Sequence, residues 1–136
     1  IKANPNENFS IAIGDIDFFK KVNDTYGHNC GDQVLKSLSN LFKEKTLGMG
    51  HVCRWGGEEF LFFFPGINLD HASTIMSEIN IAVSKSVITY KDLTLHVTMT
   101  FGVEENDFHS NISEMVKRAD DKLYYGKTHG RDTVIS

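Results

Sequence analysis

The sequence of 136 residues predicts an α+β domain, in which helices flank a mostly antiparallel central sheet of the ferredoxin-like or polymerase-palm kind. Three observations favour this fold class. An apolar run near the start ends in acidic residues, the next segments have helical spacing, and two strand-like runs then flank a Gly-Gly pair. The resulting order is strand, two helices, hairpin, helix, strand, helix and final strand.

The first half of the chain begins with a predicted strand over residues 9–19 that turns acidic at Asp15 and Asp17. The segment "KKVNDTYGHN" predicts a short helix that ends at a Gly-His corner. Residues 31–45 form an amphipathic helix in this prediction, because their apolar side chains recur at helical spacing: Val34, Leu35, Leu38, Leu41 and Phe42.

The second half begins with a predicted hairpin, residues 51–55 and 58–64, around a turn of Gly56 and Gly57. A helix is expected from near Asp70, and a strand over residues 93–103. The next helix, residues 111–131, has a capping pair, Asn111 and Glu114, and a stop signal in a late glycine, Gly130. Residues 132–136 can then close the sheet.

Composition predicts a single domain over residues 1–136. With 18 acidic and 14 basic residues, the chain lacks the basic surface expected of a nucleic-acid-binding protein. Its apolar runs are shorter than the roughly 20 residues of a membrane span, and no leader opens the sequence. Cys30 and Cys53 lack metal-ligand spacing and are expected to be buried and unbridged, as in a cytoplasmic domain.

The acidic residues suggest a metal site. Asp15 and Asp17 share a strand face, and a hairpin beside that strand would bring a third carboxylate, so a cation is needed. Oxygen ligands of this kind select magnesium or manganese over zinc. A single acidic residue at a strand end is more often simply solvated, but the repetition across two segments weakens that interpretation. Strand alternation separates Glu58 from Glu59 unless the tip is bulged, and Glu58, which follows the turn first, is the firmer candidate ligand.

Three segments read together, "GDIDFFKKVNDTYGHNCGDQVL", "RWGGEEF" and "RADDKLYYGKTHGR", resemble the GGDEF-domain diguanylate cyclases in a GGEEF variant. The resemblance covers nearly the whole chain. It implies a nucleotidyl cyclase-like palm fold and the condensation of two GTP molecules into cyclic di-GMP, a bacterial second messenger, with release of two pyrophosphates. It also implies that a homodimer is needed for catalysis.

The resemblance further implies that Asp15 and Glu58 hold two Mg²⁺ or Mn²⁺ ions, with the Ile16 carbonyl and Glu59 as additional ligands. The role of Asp17 stays open. The implied catalytic residues are Asp15, Lys20, Glu58 and Glu59.

Phosphate binding is implied for the side chains of Lys20, Lys127 and Arg131, which without the resemblance would be read as solvated helix ends. The backbone amides of Phe18 and Phe19 are expected to join them.

The resemblance also implies that Asn23 and Asp32 recognise the guanine base. An ionised carboxylate accepts hydrogen bonds only, which suits the N1–H and N2–H donors of guanine. By position alone, Asp32 could equally be a helix cap. Gly56 and Gly57 are expected to let the nucleotide approach the hairpin backbone.

Two departures from the family pattern stand out. Leu47 and Gly50 occupy positions where many relatives carry the Arg and Asp of an inhibitory product site, so we expect no such site here. The family's usual N-terminal helix is missing, and the abrupt opening "IKANPNENF" suggests a piece of a larger signalling protein with an upstream sensor or membrane anchor.

A catalytically silent GTP-binding or protein-interaction module is the alternative function, but the implied catalytic and substrate-binding positions are intact, which favours the enzyme. A nucleotidyltransferase acting on DNA or RNA is disfavoured by the missing basic surface.

Overall fold

A computed structural model describes residues 7–136 of the chain. The elements in chain order are β1 (Phe9–Ile16), α1 (Phe19–Tyr26), α2 (His28–Thr46), β2 (His51–Gly56), β3 (Glu59–Pro65), α3 (Leu69–Lys85), β4 (Ile88–Tyr90), β5 (Leu93–Leu95), β6 (Met99–Glu105), α4 (Ile112–Thr128) and β7 (Thr133–Ile135).

The central sheet has five strands in the order β2-β3-β1-β6-β7. All neighbouring pairs are antiparallel except β6 and β7, which run parallel. Strands β4 and β5 form a separate two-stranded sheet. The predicted fold class is therefore confirmed, and so is the prediction that the first strand lies beside the hairpin.

The two faces of the sheet carry different cores because successive side chains of a strand point to opposite faces. The larger core includes Ala12 and Phe62 together with buried side chains of α2 and α3. The smaller core includes Ile11 and Ile13 together with buried side chains of α4. By this alternation Asp15 follows Ile11 and Ile13, so the acidic end of β1 faces α4.

Two glycines let α4 lie close to the sheet. A side chain at Gly102 in β6 would collide with the α4 backbone at Ala119 and Leu123. A side chain at Gly126 in α4 would collide with Thr100. The last turn of α4 therefore packs directly on the end of β6.

Several predicted boundaries shift. Strand β1 ends at Ile16 rather than at residue 19, because Phe18 has a left-handed φ of 57° that breaks the extended backbone. The predicted strand over residues 93–103 is split between β5 and β6, which belong to different sheets.

Both cysteines are free, as predicted. Cys30 is buried, as predicted, whereas the prediction that Cys53 is buried is wrong, because it is exposed. The capping pair is confirmed, because Asn111 and Glu114 form a reciprocal capping box at the start of α4. Across residues 7–136, no helix combines the length and the apolar character needed to cross a membrane.

Candidate active site

Three carboxylates meet where β1 ends and the β2–β3 hairpin turns; we call Asp15, Glu58 and Glu59 the acidic corner. Asp15 lies directly opposite Glu59 in the β1–β3 register, while Glu58 lies in the turn just before β3. The expectation that Glu58 continues the strand is therefore wrong by one residue. The tip is bulged, since the β2–β3 register shifts between Arg54 and Gly56, so strand alternation does not separate the two glutamates.

Charge in the acidic corner is poorly compensated. Burial raises the pKa of Asp15 to about 6; Lys127 opposes this rise, while the carboxylates of Glu58 and Glu59 add to it. The Oδ1 atom of Asp15 is buried without a hydrogen-bond partner, and the nearby Lys127 Nζ is 3.9 Å away. Burial also raises the pKa of Glu59, and the charges of Asp120 and Glu58 raise it further. A bound cation would offset both the burial of these carboxylates and the repulsion between them.

The donor set fits a hard cation. Among residues 7–136, no three His, Cys, Asp or Glu side chains lie close enough to hold a metal ion by themselves. Magnesium, however, usually takes one or two carboxylates and completes its shell with waters and substrate phosphates. Asp15, which has a buried oxygen without a partner, and Glu58 line one cavity of about 300 Å³, which Ile16 also lines. These residues suit Mg²⁺ or Mn²⁺ with a phosphate ligand.

Cationic side chains surround the same cavity. Lys20, Lys127 and Arg131 all line it. Lys127 Nζ donates to a carboxylate oxygen of Asp17 at 2.6 Å and to the backbone carbonyl of Asp15 at 3.4 Å. Lys20 is exposed and lies 3.6 Å from a carboxylate oxygen of Asp24. The cavity thus places positive charge next to the acidic corner, as a polyphosphate with bound cations requires.

Phe18 and Phe19 form the sharp turn between β1 and α1, and both line this cavity. The guanidinium of Arg131 lies 4.7 Å from the centre of the Phe18 ring. No side chain caps the N-terminus of α1, so its first backbone amides have no side-chain acceptor and suit an anion.

A second cavity of about 420 Å³ adjoins the first, since Phe19, Lys20 and Glu58 border both. Asn23 and Asp32 line it, and the buried Oδ1 of Asn23 has no hydrogen-bond partner. A Cβ atom at Gly31 would collide with the Asn23 amide, so this glycine leaves the space that the amide fills. Asp32 is not a helix cap, because α2 begins at His28. Asp32 and Asn23 thus bring side chains that can accept hydrogen bonds to a cavity that the donors Lys20 and Arg54 also line.

Sequence reasoning missed three residues of the second cavity: His28, Leu35 and Arg54. Arg54 Nε donates to the carbonyl of Gly57 at 2.8 Å and so braces the hairpin turn. Its position two residues before the Gly-Gly pair could have drawn attention to it. Gly57 also borders this cavity, whereas Gly56 ends β2 beside it.

The positions of the family's inhibitory site lie away from both cavities. Leu47 follows α2 and is 83% exposed. A side chain at Gly50 would collide with the Phe63 carbonyl and the Phe64 ring. An aspartate at residue 50 would therefore require the backbone to move.

Comparison with known proteins identifies relatives over nearly the whole sequence. The family model described as "Diguanylate cyclase, GGDEF domain" matches residues 1–133. Diguanylate cyclase A of Treponema denticola is 36% identical over 129 residues, which cover 94% of this chain and 35% of the relative. The response regulator PleD of Caulobacter vibrioides is 38% identical over 129 residues, which cover 93% of this chain and 28% of the relative. The chain thus spans about a third of the length of these curated relatives.

A solved structure gives the same match in three dimensions. The GGDEF domain of DgcB from Caulobacter crescentus, crystallised in complex with c-di-GMP, superimposes with a TM-score of 0.90 at 30% identity. The match covers 95% of this chain and 77% of that one.

Proposed function

The chain belongs to the family of GGDEF-domain diguanylate cyclases, and we propose that it joins two GTP molecules into cyclic di-GMP with release of two pyrophosphates. One observation carries the proposal. Asp15 and Glu58 of the acidic corner share a cavity with three cationic side chains, Lys20, Lys127 and Arg131. That cavity adjoins a second one, which Asn23 and Asp32 line. Such a pair of cavities suits a metal-bound triphosphate and its base.

In this proposal Asp15 and Glu58 hold two Mg²⁺ or Mn²⁺ ions, and Glu59 and the Ile16 carbonyl lie beside them. Such ions, when bound, polarise an α-phosphate and lower the pKa of the attacking 3′-hydroxyl. Lys127, Lys20 and Arg131 neutralise the triphosphate, and the amides of Phe18 and Phe19 donate to its oxygens.

The base is held in the second cavity. Asp32 and Asn23 accept hydrogen bonds from N1–H and N2–H of guanine, while the hairpin glycines Gly56 and Gly57 allow close approach. Adenine has no equivalent pair of donors, so ATP would leave these acceptors unpaired. We therefore propose selectivity for GTP over ATP.

Each domain binds one GTP, and two domains meet face to face in a homodimer. Each 3′-oxygen forms a bond to the other nucleotide's α-phosphorus, the bond from that phosphorus to its pyrophosphate breaks, and each hydroxyl loses its proton. Two new phosphodiester bonds and two pyrophosphates result.

We further propose that residues 1–136 act as one catalytic module on the cytoplasmic side of a longer signalling protein, controlled by an upstream sensor or membrane domain. The support is the share of the relatives that the chain spans, 35% and 28%. No nucleic acid takes part, since the chain carries a formal charge of −4.

The decisive experiment incubates the protein at high concentration with GTP and Mg²⁺ and measures cyclic di-GMP by mass spectrometry. We expect product that depends on Mg²⁺, that rises more steeply than linearly with protein concentration, and that does not form from ATP. Absence of product from a longer piece of the parent chain that still binds GTP would overturn the proposal.

We also propose that product does not inhibit through the segment around residues 47–50. Micromolar cyclic di-GMP should leave the initial rate at saturating GTP unchanged. Strong inhibition that a Leu47→Ser substitution removes would contradict this.

A further inference from the structure

We propose that Asp17 is a positioning residue: it fixes Lys127 and the turn that carries Arg131 where they meet the triphosphate. The inference rests on the proposed function for its substrate, but on contacts around Asp17 for its geometry. We call Asp17 and its four partners the Asp17 network; the partners are Thr98, Thr100, Lys127 and Asp132.

Both carboxylate oxygens of Asp17 are fully used. Oδ1 accepts hydrogen bonds from Lys127 Nζ at 2.6 Å and Thr100 Oγ1 at 2.7 Å. Oδ2 accepts hydrogen bonds from Thr98 Oγ1 at 2.7 Å and the backbone N–H of Asp132 at 3.0 Å. The side chain is 0% exposed. Asp17 therefore ties the end of β1 to β6, to the segment before β6, to α4 and to the turn after α4.

Lys127 is the first group that this network positions. Its Nζ is 3.9 Å from Asp15 Oδ1 but only 2.6 Å from Asp17 Oδ1. Without Asp17, the ammonium would be drawn to Asp15, where it would compete with a metal ion for the same oxygen. Asp17 thus keeps the lysine at the rim of the cavity and leaves Asp15 available.

The turn after α4 is the second group that the Asp17 network positions. Arg131 and Asp132 have left-handed φ values of 60° and 46°, which side chains seldom adopt without support. The Asp132 amide donates to Asp17, and the amide of Arg131 donates to the Gly126 carbonyl at 2.9 Å. These two bonds hold the turn in the conformation that brings the Arg131 guanidinium over Phe18.

The geometry argues against Asp17 as a metal ligand. Its oxygens already accept four bonds, whereas Asp15 keeps an unpartnered oxygen and is 24% exposed. A metal ion could reach Asp17 only after the network is broken.

The test measures, in the full chain, binding of α,β-methylene GTP, an analogue that cannot release pyrophosphate. Asp17→Asn should weaken binding by about 10-fold or more, and Lys127→Met should weaken it as well. In the Lys127→Met background the effect of Asp17→Asn on binding should shrink, because Asp17 then acts only through the turn that carries Arg131. Thr46→Val is the control, since it removes another buried hydroxyl, bonded to the Phe42 carbonyl at 2.8 Å, away from both cavities. It should leave binding unchanged.

A second measurement needs no nucleotide. Hydrogen exchange of the Asp132 amide should accelerate in Asp17→Asn and stay unchanged in Thr46→Val, with folding checked by circular dichroism. Should Asp17→Asn fail to fold, Thr98→Val replaces it and should accelerate the same amide by a smaller factor, because Thr98 shares Oδ2 with that amide.

Unchanged exchange at Asp132, or effects of Asp17→Asn and Lys127→Met that simply multiply, would overturn the proposal. Failure of the wild-type chain to bind the analogue would instead reject the proposed function, and the exchange experiment would still decide whether Asp17 positions the turn.

Discussion

The acidic corner and the Asp17 network meet at the end of β1, where Asp15 and Asp17 are two residues apart. The two environments nevertheless shift the pKa of a carboxylate in opposite directions. In the corner, Asp15 has a raised pKa and an oxygen without a partner. In the network, hydrogen bonds from Lys127, Thr98 and Thr100 outweigh burial and hold the pKa of Asp17 below its usual value. Burial alone does not distinguish the two, because Asp17 is the more buried. The difference is that the fold supplies hydrogen-bond donors to both oxygens of Asp17 but none to Asp15 Oδ1. A bound ligand can supply the missing partner for Asp15.

The largest expected effect is on turnover. Asp15→Asn removes the charge that would hold the metal ions, so synthesis of cyclic di-GMP should fall by at least about 10³-fold. The measurement is the initial rate at saturating GTP and Mg²⁺. Glu78→Gln, an exposed change on α3, is the matched control and should keep full activity. Retention of more than a tenth of the activity by Asp15→Asn would remove the acidic corner from the mechanism.

The next effect is on stability. Asp17→Asn removes the shorter of the two ion pairs of Lys127 and weakens the bond from β6, so the free energy of unfolding at pH 7 should fall by about 3 kcal/mol. Urea unfolding measures it. The pKa of Asp17 is lowered in the folded state, so its stabilisation is present above the unfolded value of 3.8 and is lost as the pH falls through the folded value. The gap between variant and wild type should therefore close in acid; a gap that is constant with pH would contradict this.

Asp15→Asn should act in the opposite direction on stability. The folded pKa of Asp15, about 6 against 3.8 unfolded, means that the folded state binds more protons between these values, so stability is lost as the pH rises through them. Without metal, the variant should be more stable than wild type at pH 7 by about 3 kcal/mol, an order-of-magnitude figure from about 1.4 kcal/mol per pKa unit. Urea unfolding at pH 3.5 and pH 7 should show this advantage only at the higher pH, and destabilisation at pH 7 would reject it.

The smallest effect concerns Phe18, which follows Asp17 in the chain and lines the same cavity as Asp15. Phe18→Gly removes the cost of a left-handed φ but loses the contact with Arg131, so stability should change by less than about 1 kcal/mol. The KM for GTP should rise a few-fold, by about 3-fold for a loss of that size. Asp92→Asn, a change in the β4–β5 connection, serves as the control. An unchanged KM would mean that the ring does not help to hold Arg131.

Much of the architecture could be predicted from the sequence because its signals are local. The helical spacing from Val34 to Phe42 and the Asn111 capping box each depend on a few adjacent residues. The Gly-Gly pair predicts the hairpin, although the turn falls one residue later, at Gly57 and Glu58. The sequence predicts a longer β1 because the apolar run continues through Phe18 and Phe19, and only the backbone conformation of Phe18 shows where the strand ends.

The acidic corner and the Asp17 network show the same contrast between what local sequence signals predict and what only the folded chain shows. Strand alternation places Asp15 and Asp17 on one face, and the family resemblance implies roles for the residues around them. The distinction between them depends on partners 81 to 115 residues away in the chain, which no local pattern indicates. Local patterns do not assign Arg54 to the second cavity for a related reason, since that contact exists only once the hairpin lies against α1 and α2.

The bulge at the hairpin tip gives the domain a built-in optical reporter. Trp55 is the single tryptophan of the chain, is 52% exposed, and falls between Arg54 and Gly56, where the strand register shifts. Its neighbour Arg54 borders the second cavity. Indole emission depends on local polarity and quenching, so a change in the surroundings of the hairpin tip can be followed at one wavelength without a dye. The same irregularity that frees the glutamates from strand alternation therefore makes the tip observable in solution.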